Sequence, residues 1–244
     1  MANGSILVIG GDNQSMATNG IDYIVDGRAT RQIYDPKSGS WTYLPHMTSN
    51  RWYPTVVTMK NGGSIIFSGT TSNLDFGNVA KGENNNNPTY EYWPQKSGNW
   101  PVELDILKWA YPHVLYPMAF QLPSGGIFLF VSNKTIIIDP ETDQISFTVP
   151  DMPQMDHSPW IYPHSPYMIM LPLSKETDYK SILQICGGST NAVTSDITDK
   201  PASAMCWRIN PDDSYPGWTR VDDMPHARLM IDGVLLPGNK LSLV

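Results

Sequence analysis

The feature that most constrains this chain is a strand–turn–strand layout that returns along its length. The clearest copy occupies residues 51–70: an apolar stretch Thr55-Val56-Val57-Thr58, an Asn61-Gly62 turn, and a second stretch Ser64-Ile65-Ile66-Phe67 that runs out at Gly69. Asn-Gly suits a tight hairpin because both residues tolerate the left-handed dihedrals that match strand twist. A layout that recurs points to a repeat architecture, in which each unit buries its apolar face against the next. Tyr53 stands where a loop enters the first of these strands, a redox-capable phenol at a strand–loop junction. Most tyrosines in such places pack, with the hydroxyl bonded to a neighbouring backbone group.

Four units align along the chain. The first covers residues 5–47 and contains Gly10-Gly11, Tyr34-Asp35-Pro36 and Trp41. The second covers 53–101, with Ser68-Gly69-Thr70, Tyr92-Trp93-Pro94 and Trp100. The third, 116–153, turns at Ser124-Gly125-Gly126 and again at Asp139-Pro140. The fourth, 168–225, holds Gly187-Gly188, Asn210-Pro211 and Trp218, and residues 230–244 read as the opening hairpin of a fifth. Pro36, Pro94, Pro140 and Pro211 recur at intervals that bracket the roughly 50-residue kelch period. The predicted fold is therefore all-β: an incomplete kelch-like β-propeller of about four four-stranded blades occupying residues 1–244. An irregular β-sandwich with chance recurrences is the competing reading.

Composition agrees with short strands and many turns. There are 21 prolines, 19 glycines, 8 tryptophans and 12 tyrosines, and no long amphipathic pattern. The net charge of −7, with only 16 Lys plus Arg and no basic stripe, argues against nucleic-acid binding. No run of about 18 apolar residues is present, so no membrane-spanning helix is expected. The first residues lack a basic region and a cleavage site and enter a strand pattern at once. The last ones, Leu241-Ser242-Leu243-Val244, stop inside another. Strand-like ends on both sides suggest a piece of something longer.

Cys186 and Cys206 are the only cysteines, one ending a strand and the other opening the next. Neighbouring antiparallel strands can set them opposite each other, so a disulfide and a pair of buried thiols are both open. His157 and His164 share a Pro-rich aromatic loop, where a surface role outweighs metal binding. No zinc-type histidine spacing, nucleophile elbow or phosphate-cradling loop occurs. Sequons at Asn3, Asn13 and Asn133 mildly favour secretion.

Four stretches together resemble the N-terminal domain of glyoxal oxidases: Arg51-Trp52-Tyr53-Pro54-Thr55, Asn87-Pro88-Thr89-Tyr90-Glu91, Leu115-Tyr116-Pro117 and Asp223-Met224-Pro225-His226-Ala227-Arg228. These enzymes are the aldehyde-oxidising relatives of galactose oxidase among the copper radical oxidases. The resemblance implies a seven-bladed parent ring and one copper ion held by two tyrosines and two histidines. One of those tyrosines is joined to a cysteine by a thioether and stores an oxidising equivalent. Tyr53 matches that radical tyrosine and copper ligand. The partner cysteine would lie upstream of Met1, and the Tyr-His pair and the last histidine beyond Val244; no Tyr-His dipeptide occurs in this chain. Where galactose oxidase stacks a tryptophan on its radical tyrosine, this chain reads Gly69-Thr70-Thr71, which favours the glyoxal-oxidase branch.

The resemblance thus implies part of a secreted enzyme that uses a small aldehyde and O2 and makes H2O2, with no nucleic-acid or membrane partner. By itself this stretch is expected to bind no copper and to be inactive. A non-catalytic kelch propeller serving as a binding or scaffold module is the alternative.

Overall fold

The structure is a computed structural model. It describes residues 1, 3–18, 21–75, 79, 81–98, 100–147, 149–153, 160–189, 201–238 and 240–243, with the side chains of 14–18, 21–25, 146, 147, 240 and 243 excepted. The chain divides into two compact units, Met1–Pro117 and Met118–Val244. Both are built almost wholly of antiparallel strands; the longest helix among the described residues has six residues. None is long and apolar enough to cross a membrane.

In the first unit, strands β1 (Ile6–Ile9), β4 (Arg31–Asp35) and β5 (Ser40–Tyr43) form a three-stranded sheet. Between the first two of these, β2 (Asn13–Thr18) and β3 (Ile21–Asp26) pair only with each other, from Asn13 opposite Asp26 to Thr18 opposite Ile21. This sheet has three strands, with β1 at its edge, where four were expected. The second sheet is a four-stranded meander: β6 (Thr55–Thr58), β7 (Ser64–Phe67), β8 (Thr89–Trp93) and β9 (Val102–Glu103). The Asn61-Gly62 turn joins β6 to β7, with Gly62 at φ 83° and the Asn61 Oδ1 accepting from the Gly63 N–H at 3.0 Å.

Strand β7 is buried along its whole length, so it has lost the polar/apolar alternation of a half-exposed strand. On one side of β8, Tyr90 and Tyr92 meet Trp100 edge-on, with ring centroids 5.7 and 5.0 Å apart. Such edge-to-face contacts add to the area that these large rings bury. A short helix, α1 (Asp105–Ala110), follows β9 and buries Leu107 and Ala110.

The second unit repeats the meander twice. Strands β10 (Met118–Gln121), β11 (Ile127–Val131), β12 (Lys134–Ile138) and β13 (Ile145–Phe147) form one sheet. Strands β14 (Pro166–Met170), β15 (Leu183–Gly187), β16 (Cys206–Ile209) and β17 (Thr219–Val221) form the next, and the hairpin β18 (Gly233–Leu236) and β19 (Lys240–Leu243) follows. Alternate residues of β15 serve different cores. Leu183 and Ile185 join Phe128, Phe130 and Ile137 of the preceding sheet, whereas Cys186 joins Tyr167, Met224 and Ile231 on the other face. Period-two strand geometry thus lets one strand glue sheets on both sides.

Candidate functional site

Tyr53 lies in the link between β5 and β6, and the chain fixes it from both sides. Before it, Trp52 makes an isolated antiparallel bridge to Thr70, with N···O distances of 2.7 and 2.9 Å. After it, the Tyr53 carbonyl accepts from the Tyr116 N–H at 3.0 Å, and the Thr55 hydroxyl donates to the Pro117 carbonyl. Tyr53 and Tyr116 have φ of 57° and 49°. Non-glycine residues pay for that left-handed conformation and keep it only where the surroundings impose it, often at functional positions.

The outcome is a stack of three rings. Tyr53 lies parallel to Trp52 (centroids 4.1 Å apart, planes 12° apart) and to Tyr116 (4.8 Å and 18°). Tyr53 is half-buried, and Tyr116 is 45% exposed. Gly69 cannot carry a side chain here: its φ is 90°, and a Cβ would lie 2.7 Å from the Trp52 carbonyl oxygen. Close approach of two backbones therefore explains this glycine.

Polar side chains of β8 and of Asn87 just before it anchor the segment before Tyr53. Arg51 is fully buried, and its Nε donates to Glu91 Oε1 at 2.9 Å. Its Nη1 donates to the Ser68 and Thr89 carbonyls at 2.9 and 3.0 Å, and its Nη2 to Thr89 Oγ1 at 2.8 Å. The other Glu91 oxygen accepts the Thr48 N–H at 3.0 Å. Asn87 Nδ2 donates to Ser49 Oγ and to the Asn50 carbonyl, both at 2.8 Å. Burial pulls the Arg51 guanidinium below its ordinary range, while the nearby Glu91 carboxylate pushes it back up. The stretch from Asn87 to Glu91 was quoted only for its family resemblance, and its bonds to the segment before Tyr53 were not read from the sequence. The one available signal was Glu91, an acid between two tyrosines in an otherwise apolar strand.

The two cysteines lie opposite each other in β15 and β16 and are joined in a disulfide. A polar chain runs into it: Arg208 Nε donates to Gln184 Oε1 (2.8 Å), Gln184 Nε2 to the Tyr167 hydroxyl (2.8 Å), and that hydroxyl to Cys186 Sγ (3.1 Å). Burial raises the Tyr167 phenol above its ordinary range.

With both sulfurs bonded to each other, the chain has none left for a thioether to Tyr53. No cluster of three or more His, Cys, Asp or Glu suited to a metal occurs among the described residues. His46 and His226 are exposed, His164 is buried, and His157 lies outside the described residues. Among the described residues no set of side chains fits a redox copper centre complete in itself.

The glyoxal oxidase N-terminus family matches residues 1–244. Aldehyde oxidase GLOX of Vitis pseudoreticulata is 30% identical over 203 residues, covering 81% of this chain and 35% of that protein. Aldehyde oxidase GLOX1 of Arabidopsis thaliana is 25% identical over 214 residues, covering 84% of the chain and 32% of that protein. A WSC domain-containing protein of Arthroderma benhamiae is 29% identical over 236 residues, 93% of the chain and 23% of that protein. The chain thus spans about a third of the length of these plant relatives. Matched along all of its residues, it belongs to the glyoxal oxidase N-terminus family.

Proposed function

We propose that this chain is part of a secreted copper radical oxidase that turns small aldehydes, glyoxal or methylglyoxal among them, into carboxylic acids. The reaction, RCHO + H2O + O2 → RCOOH + H2O2, moves two electrons from the hydrated aldehyde to oxygen. The observation that carries the reading is the match to the family over the full chain, whose curated relatives include proteins named aldehyde oxidase. Tyr53 is this chain's contribution to the centre, the redox phenol and one copper ligand. Its left-handed backbone and enclosure between two rings support that role. The remaining ligands and the thioether cysteine belong to other parts of the parent.

The same reading makes the sheets successive blades of a seven-bladed kelch-like ring, truncated at both ends. Supporting it, the sheets of the second unit follow one another face to face through alternate strand residues. At the two ends, Ile6 and Val8 of β1 and Val234, Leu235 and Leu236 of β18 are exposed, where neighbouring blades would cover them.

Two measurements test the proposal together. Sequencing of the gene around this stretch is expected to show a cysteine shortly upstream and a Tyr-His pair downstream; their absence would leave a kelch scaffold. The 244 residues alone, given copper and methylglyoxal, are expected to release no peroxide. Peroxide from them would refute the division of the centre between this chain and the rest.

A further inference from the structure

The buried charges beside Tyr53 sit in an unusual place. Arg51 and Glu91 are 0% and 1% exposed and stand 40 residues apart in the chain. Replacing a buried ion pair by well-packed apolar groups is often neutral or stabilising, so compactness alone does not call for one here. What the pair supplies is direction. A guanidinium is a rigid planar fork, and its hydrogen bonds fix it in orientation as well as in position.

All but one of the side-chain bonds of this cluster reach residues 48–51, just before Tyr53. Asn87 stands just before β8, and Thr89 and Glu91 alternate along the strand and so share one face of it. They bind Ser49 and Asn50, Arg51, and Thr48 together with Arg51, respectively. Thr89 Oγ1 also donates to Asn87 Oδ1 at 2.6 Å, which links the row to itself. The Arg51 N–H is bound as well, to the Arg28 carbonyl at 2.8 Å. Two residues further on, the chain turns left-handed and places the phenol between its neighbouring rings.

We infer that Arg51, held by Glu91 and Thr89, is the positioning residue for Tyr53. It sets the backbone from which the phenol enters the Trp52–Tyr53–Tyr116 stack. Arg51 and Glu91 touch no reacting atom and are not catalytic residues. The inference rests on the oxidase reading only for what Tyr53 does once in place; the placement itself stands apart from copper.

The test uses the 244-residue chain without metal and reads the near-ultraviolet circular dichroism band of the stacked Tyr53. Subtracting the spectrum of Tyr53→Phe defines that band. Thr89→Val removes one hydroxyl, Glu91→Gln removes the charge while keeping the shape, and Arg51→Lys keeps the charge while removing the fork. Ile65→Val, in the buried strand of the same sheet, controls for lost stability alone. The expected result is a weakened band in Thr89→Val and a lost one in Glu91→Gln and Arg51→Lys, with cooperative unfolding retained, while Ile65→Val keeps it. An unchanged band in Thr89→Val and Glu91→Gln, with unfolding midpoints shifted as in Ile65→Val, overturns the inference. These two milder variants decide the matter even if Arg51→Lys does not fold. Failure here leaves the oxidase reading intact, and failure of the gene-sequence and peroxide tests leaves the positioning role intact.

Discussion

Two tyrosines of this protein sit beside buried polar networks that engage them differently. Tyr167 is fixed by its hydroxyl, which accepts from Gln184 and donates to the sulfur of Cys186 in a disulfide-stapled sheet. Tyr53 is fixed by its ring faces and by its backbone, with the nearby ion pair gripping the chain two residues before it. A phenol committed to structural hydrogen bonds behaves as an ordinary packing tyrosine, and burial keeps its proton on. Tyr53 is instead placed by stacking on both ring faces and by a backbone held through its neighbours, and that difference in grip separates the two sites.

Breaking each network should expose the contrast most strongly. Arg51→Ala leaves the Glu91 carboxylate buried without its partner, and a loss of about 3–5 kcal/mol is expected in urea unfolding. Replacing both Cys186 and Cys206 by alanine opens a crosslink between residues 20 apart, with an expected loss of about 3 kcal/mol. A disulfide double variant as stable as the parent would show that the staple is redundant with the Gln184–Tyr167 chain. Gly69→Ala forces a methyl against the Trp52 carbonyl at positive φ, and about 1–3 kcal/mol should be lost.

Removing one hydroxyl sharpens the comparison further. Tyr167→Phe strands the buried amide of Gln184 and is expected to cost about 1–2 kcal/mol. Tyr53→Phe keeps both stacking faces and is expected to retain cooperative unfolding. The smallest effect concerns alkali. The Tyr167 phenol is raised in the folded state, mainly by burial, so unfolding releases a proton that folding retains. Stability should therefore be whole below the ordinary tyrosine value and decline as pH rises from there toward the folded value. In Tyr167→Phe this share of the alkaline loss should vanish from the pH-dependent melting curve.

Much of this was legible in the residues. The Asn61-Gly62 hairpin and the all-β class follow from turn chemistry and strand alternation, both local signals. Tyr53 could be singled out because its motif is contiguous. The grip on it could not, since Arg51 meets Thr89 and Glu91 across 38 and 40 residues, and it takes the Trp52–Thr70 bridge and the pairing of β7 with β8 to bring them together. Tyr116 as the second stacking ring has the same non-local origin. Cys186 and Cys206 left two outcomes open because strand register, which sets them opposite each other, is a tertiary property. The hairpin within residues 13–26 was not singled out, although Asn19-Gly20 in the sequence is a hairpin signal.

The central claim is that Tyr53 is the redox phenol of a centre completed by residues outside this chain. Peptide mass spectrometry of the full-length gene product, purified with copper, tests it most directly. The account predicts that the peptide carrying Tyr53 is recovered covalently joined to a cysteine peptide from upstream of Met1, the pair lighter by two hydrogens than its separate parts. An unmodified Tyr53 peptide from a preparation that oxidises aldehyde and makes peroxide would contradict it.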